Sequence, residues 1–190
     1  MQRNEYVAAA MRTNAPTVGS HGQHTIDMAH AGLGLCDEAA ELRQAIINRD
    51  HENIIEELGD LYWFAALADS AMNYPVMHDQ HDAVIHEDFH ALYDGHSSMP
   101  WVESIMVDAC EVAGHIKKCF AYGKTSIDIK GAQALHRLIY NVNSLAERYD
   151  SIVSIRRKNI AKLRARFPEK FSDEQALTRD VGNEYQHMRA

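Results

Sequence analysis

A chain of 190 residues, 46% of them apolar and four of them proline, can bury a real core and has the composition of an ordinary globular protein rather than a disordered or fibrous one. No apolar run approaches the ~18 residues needed to cross a bilayer, and a formal net charge of −8 argues against a non-specific grip on long nucleic acids, which takes a basic surface. The charge is uneven, because seven of the nineteen lysines and arginines fall between Arg156 and Lys170, a distribution better suited to a small anionic ligand than to a duplex.

Along the chain, helical signals dominate and no run alternates with period two. A short helix is expected over Glu5–Arg12, then a loop through residues 14–23, then a long helix from about Thr25 to Asn48. Arg49-Asp50-His51 reads as a tight turn in which Asp50 caps the next helix, Glu52–Met72, and Asn73-Tyr74-Pro75 ends that helix. Residues 76–98 are polar and histidine-rich. Pro100 fits the first turn of a helix reaching about Phe120, broken by Tyr122-Gly123-Lys124. A further helix is expected over Ile129–Arg148, and a last one capped by Asp150 or Ser151 and stopped by Pro168. The tail after Phe171 reads as loose. The three cysteines, Cys36, Cys110 and Cys119, are odd in number and lack metal-type spacing. With an N-terminus free of any signal-peptide pattern, they are expected to be reduced thiols of a cytoplasmic protein.

The chemistry concentrates in two short segments. Asp37-Glu38-Ala39-Ala40-Glu41 is followed, fifteen residues on, by Glu57-Leu58-Gly59-Asp60. Residues three apart share a helix face. The turn near residue 50 is almost equidistant from Glu41 and Glu57, and likewise from Glu38 and Asp60. An antiparallel hairpin therefore sets Glu41 against Glu57 and Glu38 against Asp60, with four carboxylates in one layer. The stripe Ala31, Gly34, Glu38, Glu41, Ala45 is built of small residues that allow close helix approach. The second helix carries two faces that want burial, as a central bundle helix would. Packed carboxylates repel unless protonated or bound to cations, and an all-oxygen set suits Mg²⁺ or Mn²⁺. Any one of these acids alone would pass for a solvated helix residue; the symmetric placement of all four would not. A ferritin-like di-iron bundle needs Glu-x-x-His on two helices of the site, and Glu87-x-x-His90 lies outside the acid hairpin.

The pattern Asp37-Glu38-x-x-Glu41 with Glu57-x-x-Asp60, together with Arg157-Lys158-Asn159-Ile160-Ala161-Lys162-Leu163-Arg164-Ala165-Arg166-Phe167-Pro168, resembles the MazG-like all-α nucleoside triphosphate pyrophosphatase superfamily, which includes the dimeric dUTPases. The family begins its first motif with Glu where this chain has Asp37. The resemblance covers residues 24–73 and 151–172 and looks like phage and bacterial members. It implies hydrolysis of a nucleoside triphosphate to the monophosphate and pyrophosphate, with Glu38, Glu41, Glu57 and Asp60 as metal ligands. One glutamate, Glu41 or its neighbour Glu38, would orient the attacking water. It also implies Phe64 against the base, and Lys158, Asn159, Lys162 and Arg166 as a phosphate-binding strip. The plain alternative for that strip is a solvated amphipathic face. A homodimer or homotetramer is expected, since the family pairs helices across chains.

The middle of the chain reads as a degraded second copy. Asp108-Ala-Cys-Glu111 through Lys117-Lys118 and Tyr122-Gly123-Lys124 resembles the family's first segment. On that register Leu135 and Leu138 stand where Glu57 and Asp60 would. Lys117, Lys118 and Lys124 would then reach triphosphate oxygens, or serve only as exposed lysines favourable to a helix C-terminus. Among the histidines of the 78–96 segment, His86 and His90 have metal-pair spacing, but two ligands do not close a site.

The sequence therefore predicts one all-α domain over 1–172, a four-helix-type bundle. Its first repeat would span 24–73, an insertion 74–99, a degenerate repeat 100–150 and a basic helix 151–167, with a tail over 173–190. The expected activity is Mg²⁺-dependent pyrophosphohydrolysis in nucleotide-pool control, leaning to a deoxypurine such as dGTP, with Trp63, Phe64 and Trp101 able to stack on any base. A pyrimidine-specific enzyme of the dUTPase or dCTPase type and a non-catalytic nucleotide-binding regulator are the alternatives.

Overall fold

A computed structural model describes residues 1, 3–14, 22–72, 97–124, 126–168, 171–172, 174, 182 and 186. The histidine-rich stretch 78–96 lies outside the described residues. Six helices make up the described fold: α1 (Arg3–Met11), α2 (Gln23–Asn48), α3 (His51–Met72), α4 (Met99–Tyr122), α5 (Ile129–Ala146) and α6 (Ile152–Arg166). The chain is all-α, as its periodicity predicts. No described helix is long and apolar enough to cross a membrane.

The turn between α2 and α3 positions everything else. Arg49 takes a left-handed conformation, φ 56°, and the cap N–H groups return to the Ala45 and Ile46 carbonyls. Asp50 then accepts from the Asn53 N–H at 3.2 Å and caps α3, as the sequence predicts. Two residues thus reverse the chain and lock α2 and α3 antiparallel.

The small-residue stripe of α2 has a direct use. A Cβ on Gly34 would stand 2.1 Å from the Phe64 ring, so glycine is what admits that ring against α2. On the next face, a Cβ on Gly32 would meet the Ile116 side chain at 3.1 Å and the Ala113 Cα at 3.4 Å, marking the close approach of α4. Further along this contact Cys36 lies within hydrogen-bonding reach of Cys110, with no disulfide formed.

Helix α3 is the central element. Leu58, Leu61, Tyr62, Ala66 and Ala68 are fully buried, and α1, α2, α5 and α6 all pack on it. Two of its buried aromatic residues anchor their polar atoms on neighbouring elements. The Tyr62 hydroxyl donates to Asn143 Oδ1 of α5 at 2.7 Å, and Trp63 Nε1 donates to the Ala10 carbonyl and Thr13 Oγ1. Helices α4 and α5 form a second antiparallel hairpin, closed by Gly123 in a left-handed cap and by Asp128, whose side chain accepts from the Gly131 N–H. Helix α6 is mostly hydrophilic yet turns Arg156, Asn159 and Lys162 inward. The Arg156 guanidinium lies over the Tyr62 and Tyr6 rings, 4.8 and 5.7 Å from their centroids.

Two glycines with opposite surroundings test this packing. Gly34→Ala should lower the melting temperature, by about 1–3 kcal/mol in stability, as the new methyl displaces Phe64. Gly114→Ala on α4, where nothing lies within 4 Å of the added carbon, should be neutral or stabilise by up to about 1 kcal/mol through helix propensity. Thermal or urea denaturation of both variants reads the difference, and equal effects would contradict the close approach at Gly34.

Candidate active site

The acids predicted to meet do meet, but in a different pairing. Glu38, Glu41 and Glu57 each offer a carboxylate oxygen, all within 4.8 Å of one another. The helices keep the expected register, with Gly34 opposite Phe64, yet the side-chain hydrogen bond runs diagonally, between Glu38 and Glu57. Asp60 is the reason. It faces the same cavity, but its carboxylate is held from the α6 side: Asn159 Nδ2 donates to Oδ1 at 2.8 Å, and Lys162 Nζ lies 2.7 and 2.5 Å from the two oxygens. Lys162 also reaches Glu56 Oε1 at 3.2 Å. The predicted layer of four carboxylates is thus a tight group of three with a fourth clamped beside it.

Burial is uneven within the group. Glu57 is 4% exposed, Glu38 half-buried and Glu41 exposed. Burial, and for Glu38 then the charge of Asp60, pushes the Glu38 and Glu57 carboxyls well above the ordinary carboxylate range. A hydrogen bond between two carboxyls needs a proton on one of them, and the upward push on both favours keeping it. An all-oxygen donor set of this kind fits a hard divalent cation.

Asn159 and Lys162 are positioned by α1 and α3. A Cβ on Gly59 would come within 3.0 Å of Asn159 Cβ, so the glycine beside Asp60 lets α6 close on α3. Tyr6 donates to Asn159 Oδ1 at 2.9 Å, which turns the amide nitrogen toward Asp60. Burial, then the charge of Asp60, holds the Tyr6 phenol far above its usual range, so it stays a donor. For Lys162, 5% exposed, burial alone would lower the pKa; Asp60 and Glu56 raise it above the usual lysine range.

The four carboxylates and Lys162 line a cavity of about 550 Å³, whereas Asn159, expected in the phosphate-binding strip, is buried behind Asp60 and outside the lining. One wall is carboxylate, from Asp37, Glu38, Glu41, Glu56, Glu57 and Asp60. Another is aromatic: Phe64 lies edge-on to Trp63 and His30, with ring centroids 4.8 and 5.3 Å apart, and Phe167 and Phe171 close the far side. Burial pushes the His30 imidazole below its usual range, against the pull of Asp27, so it is a neutral ring at pH 7. Lys162 and Arg166 are the cations of the lining.

Several predicted residues stand elsewhere. Lys158 points away to Asp150, with Nζ 2.9 Å from Oδ2, because Asp150, just before the Ser151 N-cap, supplies a carboxylate two turns back. Lys117, Lys118 and Lys124 are exposed and outside the cavity lining, Lys118 and Lys124 near Asp128. Trp101 is packed in the core. Leu135 and Leu138 are both fully buried in the core. Asp108 and Glu111 are met by Arg137, 2.9 Å from Asp108 and 2.5 Å from Glu111, and by Asn141, 3.0 Å from Asp108.

Tyr6, Thr13, His30, Glu56, Phe167 and Phe171 belong to the site without having been singled out in the sequence. His30 had a signal, being one turn before Gly34 on the acid-bearing face of α2. Phe171 had none, standing at the start of a tail that reads as loose.

The raised carboxyls set the sign of a pH effect. A group that binds its proton more tightly in the folded state stabilises the fold at low pH, and that stability is lost as pH rises from the unfolded pKa, ~4.3 for glutamate, through the folded value, about 7 for Glu57. Metal-free protein should therefore lose melting temperature between pH 5 and pH 8. Glu57→Gln should flatten this slope relative to wild type. A slope unchanged in Glu57→Gln would show that other groups carry it.

Compared with protein-family models, curated proteins and solved structures, the chain matches none.

Proposed function

We propose that this chain is a Mg²⁺-dependent nucleoside triphosphate pyrophosphohydrolase, which releases monophosphate and pyrophosphate. The observation that carries the proposal is the meeting, in one cavity, of three different surfaces. An all-oxygen ligand group, two cations and an aromatic wall correspond to the metal, the phosphates and the base of a nucleotide.

Glu38, Glu41 and Glu57, with Asp60, would hold Mg²⁺ or Mn²⁺, which supplies charge neutralisation and water activation when bound. The protein's own contribution is positioning and electrostatics. Lys162 and Arg166 bind phosphate oxygens from α6. Phe64, His30 and Trp63 present ring edges and faces to a base. Glu41, the most exposed of the three acids, orients the attacking water and accepts its proton. In hydrolysis at the α-phosphorus, the new bond forms to the water oxygen, the α–β bridging bond breaks, and pyrophosphate leaves. No serine or cysteine nucleophile is required. A deoxypurine triphosphate such as dGTP is the favoured substrate. A homodimer or homotetramer is part of the same proposal, and sedimentation tests it.

Activity is expected with Mg²⁺ or Mn²⁺ and is expected to vanish with chelator. A panel of eight ribo- and deoxynucleoside triphosphates, read by pyrophosphate release, identifies the base. Diphosphate plus orthophosphate as products would assign the wrong bond, and nucleotide binding without turnover would make the chain a sensor.

The two hairpins separate in the same assay. Glu38→Gln should remove turnover while the protein stays folded, since an amide cannot supply the anionic oxygen that a hard cation needs. Asp108→Asn should weaken turnover only partly, because Arg137 already neutralises that side. If a folded Asp108→Asn variant is as inactive as Glu38→Gln, the chemistry has been placed in the wrong hairpin.

A further inference from the structure

The position of Lys162 has a consequence for how the site fills. Its ammonium group is the nearest cation to the carboxylate group, and it is spent on Asp60 and Glu56. Asp60 in turn stands outside the tight group of Glu38, Glu41 and Glu57. Two groups that a nucleotide and its metal both need are thus engaged with each other. The engagement is well built: Lys162 is 5% exposed, Asn159 supports Asp60 from the same helix, and Gly59 lets α6 close in.

Resting on the function proposed above, we propose that Lys162 is a resident cation that latches Asp60, so that metal and triphosphate must share the work of opening the pair. A phosphate oxygen that takes over Nζ releases Asp60 toward the other three carboxylates. A divalent ion that draws Asp60 in releases Nζ toward the phosphates. Each ligand then removes a cost the other would otherwise meet, and linkage requires the effect to be reciprocal. No bond is made or broken; only the partners of one ammonium and one carboxylate are exchanged. The latch would also keep a free divalent ion from being held tightly when no triphosphate is present.

The two halves of the latch can be opened separately and read by binding alone. With full-length protein, Mn²⁺ binding measured by calorimetry without nucleotide should tighten by about fivefold or more in Lys162→Met. Arg166→Met removes the same charge from the cavity without freeing Asp60, and should tighten binding less. Conversely, inorganic tripolyphosphate binding in chelator should tighten in Asp60→Asn, by more than in Glu57→Gln, which removes a carboxyl from the same cavity but leaves Lys162 latched. If Lys162→Met does not fold, Lys162→Met/Glu56→Gln removes the carboxylate left buried and serves in its place; circular dichroism decides which is used.

Equal Mn²⁺ affinity in Lys162→Met and Arg166→Met, with binding still abolished by Glu38→Gln, would overturn the latch while leaving the metal site intact. Asp60→Asn equal to Glu57→Gln in tripolyphosphate binding would overturn it from the anion side. Mn²⁺ binding absent from wild type and from every variant would overturn both the latch and the metal reading beneath it.

Discussion

The register of α2 against α3 is the constraint on which the rest depends. It is set by two residues, the left-handed Arg49 and the capping Asp50, and it brings Gly34 opposite Phe64 one turn beyond Glu38 and Asp60. Because side chains on facing helices repeat every three to four residues, a register change of one residue would rotate the carboxylates apart and drive Phe64 into a backbone with no room for it. The turn thus fixes the acid group and the aromatic wall together.

What α6 contributes is charge. A helix that turns a guanidinium, an amide and an ammonium group toward the interior is costly unless each finds partners. Here Asn159 and Lys162 find Asp60 and Glu56, and Arg156 lies over two tyrosine rings. The acidic face of α3 and the basic face of α6 therefore explain each other. Removing either would leave the opposite charge buried, at a cost of about 3–5 kcal/mol for a well-buried pair. Some of the protein's stability is held in groups that a ligand would draw upon.

The second hairpin meets the same electrostatic problem in another way. Asp108 and Glu111 face Arg137 and Asn141, so a fixed side-chain cation neutralises the acids. The group is satisfied within the chain and asks for nothing from solution. Among the described residues no such cation is paired with Glu38, Glu41 or Glu57; Glu38 and Glu57 are hydrogen-bonded to each other, and Lys162 serves Asp60 and Glu56. That contrast distinguishes a site open to an ion from one already closed.

Much of this was legible in the chain itself. The helices follow from apolar periodicity, sparse glycine and proline, and caps such as Asp50 and Ser151, all of which act within a few residues. The meeting of Glu38, Glu41 and Glu57 follows too, since a tight turn and helix periodicity leave little freedom between them. Contacts across α6 were not legible. Whether Lys158 or Lys162 enters the cavity depends on which carboxylate lies nearer once the helices are packed, and Asp150 and Asp60 took one each. The same holds for Asp108, whose partners Arg137 and Asn141 come from α5 and are set by how that helix packs rather than by the local pattern of α4. Local periodicity determined which residues could share a face. Packing decided which face met which, because the side-chain rotation of one helix about another is fixed by the sum of all its neighbours rather than by its own sequence.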